Sequence, residues 1–175
     1  EALTKNVSPF TDVPAGHWAA GYIQYCANQG ILNGVGEGKF NPNGNVTNAQ
    51  YAKMLLVALG YGVNDEFVGS GWKTAVTKYA VAAKIFNGNY AANPDDTANR
   101  EQAALYTFNA MKADKVAYSS LLGEYIYTSG VFGSTTALGT FAADYGLDAN
   151  PTTGVLAVNA GKLVIKSVAV DADAA

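Results

Sequence analysis

The chain repeats itself. Sliding the sequence by 54 positions sets Trp18 on Trp72, Tyr25 on Tyr79, Ile31 on Ile85, Asn33 on Asn87 and Gly34 on Gly88. With two residues fewer in the second copy's loop, Pro42 falls on Pro94 and Thr47 on Asn99. A self-similarity of this size marks a supersecondary unit that cannot bury its apolar face alone and stacks on its sister. That one feature restricts the first two thirds of the chain to a small array of stacked units.

Each unit reads as helix, loop, helix. Between His17 and Gln29, the residues Trp18, Tyr22, Ile23 and Cys26 recur at helical spacing and form an apolar stripe that predicts a core-facing side. Gly30 ends that helix, and "NGVGEGKFNPNGN" supplies five Gly and Pro for an ordered tight loop. Thr47 followed by Gln50 is a capping box, so a second helix starts there and runs from Ala49 to about Leu59, closed by Gly60. Its inward side is expected to carry Tyr51, Met54, Leu55 and Ala58. The second unit keeps both capping positions as Asn99 and Gln102.

After about Ser119 the texture changes. "EYIYTSGVF", "GVLAV" and "KLVIKSVAV" are rich in β-branched and aromatic residues and read as strands, while the N-terminal "EALTKNVSPF" reads as extended. The expected class is α+β: two helix-loop-helix repeats followed by a small β-rich region. The expected division is 1–62, 63–118 and 119–175.

Composition excludes several functions. Only 14% of residues are charged, against a usual ~25%, and the abundance of Gly and Tyr suits an extracellular surface. Net charge is −3 and the 11 basic residues are scattered, which disfavours nucleic acid as a partner. One Cys forms neither an internal disulfide nor a cysteine zinc site, and no stretch approaches the ~20 apolar residues of a membrane span. A start at Glu1 rather than Met fits a processed or trimmed chain.

The stretch "FTDVPAGHWAAGYIQYCANQGILNGVGEGKFNPNGNVTNAQYAKMLLVALG" resembles an S-layer homology (SLH) repeat. The shared elements are F-x-D-V, H-W-A, G-I-x-x-G, G-x-F-x-P, a T-R-A-E-like helix start and a closing A-L-G. The second unit is a weaker match that keeps Trp72, Ile85, Asn87, Gly88, Pro94 and "NREQ". The resemblance implies a helical-hairpin module of secreted proteins at the bacterial cell surface, S-layer or cell wall. Three such modules usually combine into a prism whose grooves hold secondary cell-wall polysaccharide, often bearing a pyruvylated sugar. It also implies that the T-R-A-E arginine contacts the acidic sugar. Here Asn48 stands at that position in the first unit, and Arg100 keeps it in the second. The glycan-binding candidates on this basis are Arg100, Trp18, Trp72, Asp12, Gly34, Gly88, Gln50 and Gln102.

Each candidate has a plainer role as well. Arg100 can clamp a sugar carboxylate with its planar fork, or sit solvated beside Asp95 or Asp96. Trp18 and Trp72 can stack on a sugar, but a Trp that opens an amphipathic helix is expected to be core. Asp12 can take sugar hydroxyls, but capping its own turn is the better reading. His17 and Cys26, nine residues apart on one helix, would stand about 13 Å from each other along its axis, too far for a base and its nucleophile. Cys26 reads as a small buried apolar group. Asp95, Asp96, Asp171 and Asp173 lack calcium-loop spacing, and "GVGEG" lacks the strand and lysine of a phosphate loop, so no metal and no cofactor are expected.

Two functions follow. One is a non-enzymatic surface protein anchored through secondary cell-wall polysaccharide. The other is a homo-oligomer or polymer, a self-assembling filament or lattice built by β-strand addition, where low surface charge leaves little repulsion against packing. An enzyme is the third and least supported reading.

Overall fold

The computed structural model describes residues 8–89 and 92–128, together with the backbone of two short strands at 147–150 and 155–158. The strand expected within 162–170, the extended segment 1–7, Asp171 and Asp173 lie outside the described residues. The class is α+β. Helices α1 (Ala20–Asn28), α2 (Asn48–Leu59), α3 (Trp72–Ala82) and α4 (Arg100–Lys112) precede strands β1 (Val116–Ser119), β2 (Glu124–Tyr127), β3 (Leu147–Asn150) and β4 (Val155–Val158). Two antiparallel hairpins result, with Val116 opposite Tyr127 in one and Leu147 opposite Val158 in the other.

The two capped helices form as their sequences predict. Thr47 Oγ1 accepts from the Gln50 amide at 3.3 Å, and Gln50 Oε1 accepts from the Thr47 amide at 2.8 Å. Asn99 and Gln102 make the same pair of bonds at 2.8 and 2.9 Å. Each box satisfies two amides that the helix cannot satisfy itself. α1 and α3 start at Ala19 and Gly71, with no side-chain cap, so they depend on packing.

That packing runs between units. The principal helix contacts are of α2 with α3 and with α4. Leu56, Leu59, Val76, Ile85 and Tyr106 are fully buried there, with Ala52, Ala80 and Ala110 letting the backbones approach. The loop 93–98 of the second unit also caps α2: the amides of Asn48 and Ala49 donate to the carbonyls of Asp96 and Pro94 at 2.9 and 3.0 Å. A second, smaller cluster holds α1 by Ala19, Ala20 and Ile23 against Val13, Phe10 and Phe40.

Two expectations about faces are corrected. On α2 the buried side is Asn48, Ala49, Ala52, Leu56 and Leu59; Tyr51, Met54 and Leu55 are half-buried and Ala58 is exposed. The helix is apolar nearly all round, so its periodicity does not choose a face and the neighbours do. On α1 only Ile23 of the predicted stripe is buried, and Cys26 is half-buried. Trp18, expected in the core, is 83% exposed, and Tyr22 is 58% exposed. Trp72 is half-buried against the main core, so the two tryptophans occupy unlike surroundings. The physical reason is that α3 rests on α2 of the unit before it, whereas no described helix precedes α1.

The hairpin β1–β2 is fastened to the helices by Tyr125. Its hydroxyl donates to Glu66 and accepts from the Gly62 amide at 2.8 Å, within a cluster of Tyr61, Tyr79 and Tyr118 rings. Burial first, then the bond to Glu66, push the Tyr125 hydroxyl up to about 12. Burial pushes Glu66 upward as well, but the bonds from Tyr125 and from the Gly62 and Asn64 amides outweigh it, and its carboxyl titrates low.

Candidate functional site

A groove of about 570 Å³ opens where the loop of the first unit, α2 and the entry to α3 meet. The loop is shaped by three local devices. Asp12 Oδ1 and Oδ2 accept from the amides of Phe40 and Asn41 at 2.8 and 2.7 Å, stapling the loop to the segment before α1. The Phe40 amide is the main cause of the low-titrating Asp12 carboxyl. This corrects the expected capping of its own turn. Phe10 packs on Phe40 with ring centres 5.2 Å apart. Gly34 lies so close that a Cβ there would meet the Lys39 carbonyl and the Phe10 ring, so only glycine fits.

The walls are mixed. Trp72 and Phe40 are half-buried aromatics of the lining, while Phe67 is buried in the core; Ile31, Leu32 and Met54 are aliphatic; Asn33, Asn41, Asn45 and Gln50 carry amides. Among the described residues of the lining, the one charged side chain is Lys53. Its Nζ donates to the Phe67 carbonyl at 2.9 Å and lies 5.5 Å from the centre of the Trp72 ring, with desolvation lowering its pKa. Lys73 also approaches Trp72, at 5.9 Å, and pairs with Asp95. Among the described residues, no carboxylate, histidine, thiol or hydroxyl side chain lines the groove. Paired-carboxylate hydrolysis and thiol or hydroxyl attack therefore have no residues there. What the groove offers is an aromatic platform, neutral hydrogen-bonding groups and one cation.

The structure brings three of the sequence-predicted residues together here: Trp72, Gly34 and Gln50. The others lie elsewhere. Trp18 stands on the exposed side of the first unit, with its ring 5.8 Å from that of His17. Arg100 is exposed at the start of α4 and pairs with neither Asp95 nor Asp96; Asp95 is taken by Lys73, and Asp96 Oδ1 accepts from the Asn93 side-chain Nδ2 at 3.3 Å. Gln102 is occupied in its capping box. Gly88 has a left-handed φ of 85° beside Leu105. Asn48, at the arginine position, is 1% exposed, and its Nδ2 donates to the Asn93 carbonyl at 2.9 Å. His17 Nδ1 accepts from the Ala19 amide, and burial raises the Cys26 thiol, which opposes thiolate chemistry. Lys53 escaped the sequence reading because nothing in its spacing singles it out; only the loop that folds over it does.

The chain's similarities agree with this architecture. The family model of the S-layer homology domain matches residues 9–52. A cell surface protein of Thermoanaerobacter kivui is 46% identical over 61 residues, covering 35% of this chain and 8% of that protein. The outer membrane protein SlpA of Thermus thermophilus is 34% identical over 102 residues, 57% of this chain and 11% of its own. An endoglucanase of Bacillus sp. is 30% identical over 116 residues, 60% of this chain and 12% of that enzyme. The chain thus spans only a small part of these relatives. No solved structure matches it. The match at residues 9–52 and the names of these relatives support a cell-surface, S-layer-associated protein. Residues 9–52 are its S-layer homology domain, and its place is the cell surface or cell wall. Among the described residues, no helix is long and apolar enough to cross a membrane.

Proposed function

We propose that the groove binds an acidic cell-wall polysaccharide and so anchors the chain, without catalysis, at the bacterial surface. The observation that carries this reading is the pairing of Lys53 with Trp72 in a groove whose described lining holds no carboxylate. A pyranose ring has an apolar face that suits an indole, hydroxyls that suit Asn and Gln amides, and, when it bears an acid, a charge that suits an ammonium. Lys53, on the same helix as Asn48, takes over the cation's task in the first unit. Trp72 comes from the second unit, so the division at residue 62 crosses the groove and both repeats are needed to build it. Arg100, Gln102 and Gly88 are assigned to the second unit's own end, and Trp18 and Asp12 to assembly and loop shape. The test is co-sedimentation with purified secondary cell-wall polysaccharide. The wild-type chain is expected to sediment with polymer, and Lys53→Gln to remain in solution; equal sedimentation of both would remove the proposal.

A second reading, assembly by β-strand addition, is favoured by one observation. The β1–β2 hairpin exposes Leu121, Leu122, Ile126 and Tyr127, with Leu121 at 92%. Ordered fibres of the purified chain in the absence of polymer, lost in Ile126→Lys, are the expected result of that reading.

A further inference from the structure

The two open sides of the helical array are copies of the two sides of its inner junction. At that junction α3 buries Val76 and Ala80 completely, behind Trp72. Shifted back by 54 positions, these residues become Tyr22 and Cys26 on α1 and Trp18 in the turn before it. Two of them, Trp18 and Tyr22, are the most exposed aromatic residues of the helical part among the described residues, and Tyr25 beside them is 48% exposed. The partner side shows the same relation. α2 buries Ala52, Leu56 and Leu59. Shifted forward by 52 positions these become Ala104, Phe108 and Met111 on α4. Ala104 is exposed, Phe108 is 44% exposed and Met111 is half-buried.

We infer that α1 of one copy of this chain docks on the Ala104–Phe108–Met111 side of α4 of a second copy, continuing the α2–α3 junction from molecule to molecule. A second copy is the fitting occupant because each molecule carries both halves of the contact. The junction inside the chain shows how the corresponding helices pack, with Val76 and Leu56 where Tyr22 and Phe108 stand on the open sides. The α1 helix carries no charged residue, and on the α4 side the Lys112 ammonium, 5.1 Å from the Phe108 ring centre, has a stem long enough to keep its charge in solvent when the contact forms. The contact is head-to-tail: it uses different patches on the two partners and does not stop at a symmetric dimer. The inference does not rest on polysaccharide binding, since the groove behind Lys53 lies at the inner junction.

The test is sedimentation velocity of the 175-residue chain, without polysaccharide, as concentration rises to about 1 mM. Species larger than a dimer are expected. Tyr22→Glu spoils one side and Phe108→Glu the other; both positions are exposed, so circular dichroism is expected to be unchanged. Each variant alone is expected to be monomeric. Mixed in equal amounts they are expected to form heterodimers and nothing larger, because one good half remains on each. A monomeric wild type, a wild-type assembly that ends at the dimer, or variants that still polymerise alone each overturn the inference. Polysaccharide co-sedimentation of Tyr22→Glu is a separate readout, expected to be unchanged, so that failure of assembly and failure of anchoring remain distinguishable.

Discussion

Lys53 of the first unit places its Nζ 5.5 Å from the ring centre of Trp72 in the second, while donating to the Phe67 carbonyl. One side chain therefore ties the two units and supplies the cation of the groove between them. Its tryptophan partner contributes packing as well as a binding face.

The tryptophans are predicted to differ in their weight on stability. Trp72→Ala removes a half-buried indole from the core and is expected to cost about 2–3 kcal/mol. Trp18→Ala removes an exposed side chain and is expected to stay within about 0.5 kcal/mol. Urea unfolding of the two variants at low protein concentration measures the difference. Equal losses would contradict the packing described.

Restoring the family's arginine is predicted to harm rather than help. Asn48 is buried under the loop 93–98, with its Nδ2 on the Asn93 carbonyl. Asn48→Arg forces a longer, charged side chain into that space and is expected to destabilise by about 2 kcal/mol or more, without improving polysaccharide binding. A folded variant that binds more tightly would show that the site is open to a cation.

The capping boxes are expected to contribute to stability and to be coupled. Thr47→Ala and Asn99→Ala each remove the acceptor for a first-turn amide and are expected to cost about 1 kcal/mol. Thr47 bridges Thr97 and the Ala98 amide donates to the Val46 carbonyl at 2.9 Å, so the two helix starts adjoin and the double variant is expected to depart from the sum. Denaturant midpoints of the three variants decide this.

Docking of the β1–β2 hairpin is predicted to depend on pH at both ends. Glu66 titrates low in the folded chain, so its contribution is present above the ordinary Glu range and is lost as pH falls through its folded value. Tyr125 is raised to about 12, so its contribution is present below the ordinary value of 10.0 and is lost as pH rises toward 12. Near-ultraviolet circular dichroism of the tyrosine cluster is expected to be flat across the neutral range and to fall on both sides. Tyr125→Phe is expected to abolish the alkaline part of the change that belongs to this residue.

Much of this architecture is legible in the residues. Thr47–Gln50 and Asn99–Gln102 announce two helix starts because capping is local chemistry, complete within four residues. The glycine at 34 is readable as a loop residue, though its reason, the approach of Phe10 and the Lys39 carbonyl, is a contact across the loop. The exposure of Trp18 is not readable, since the same sequence pattern is covered in one unit and open in the other. The buried side of α2 is hidden for a related reason: alanines and leucines surround the helix, and packing on α3 chooses among them. Lys53 emerges as a site residue only when the loop 31–46 and the entry to α3 close over it.

Calorimetric titration of acidic cell-wall polysaccharide into the wild type, Lys53→Gln and Arg100→Gln tests the central claim most directly. Loss of a charge-assisted contact predicts binding about tenfold weaker for Lys53→Gln, and Arg100→Gln within about twofold of wild type. Wild-type affinity in a folded Lys53→Gln, or loss of binding in Arg100→Gln alone, would contradict it.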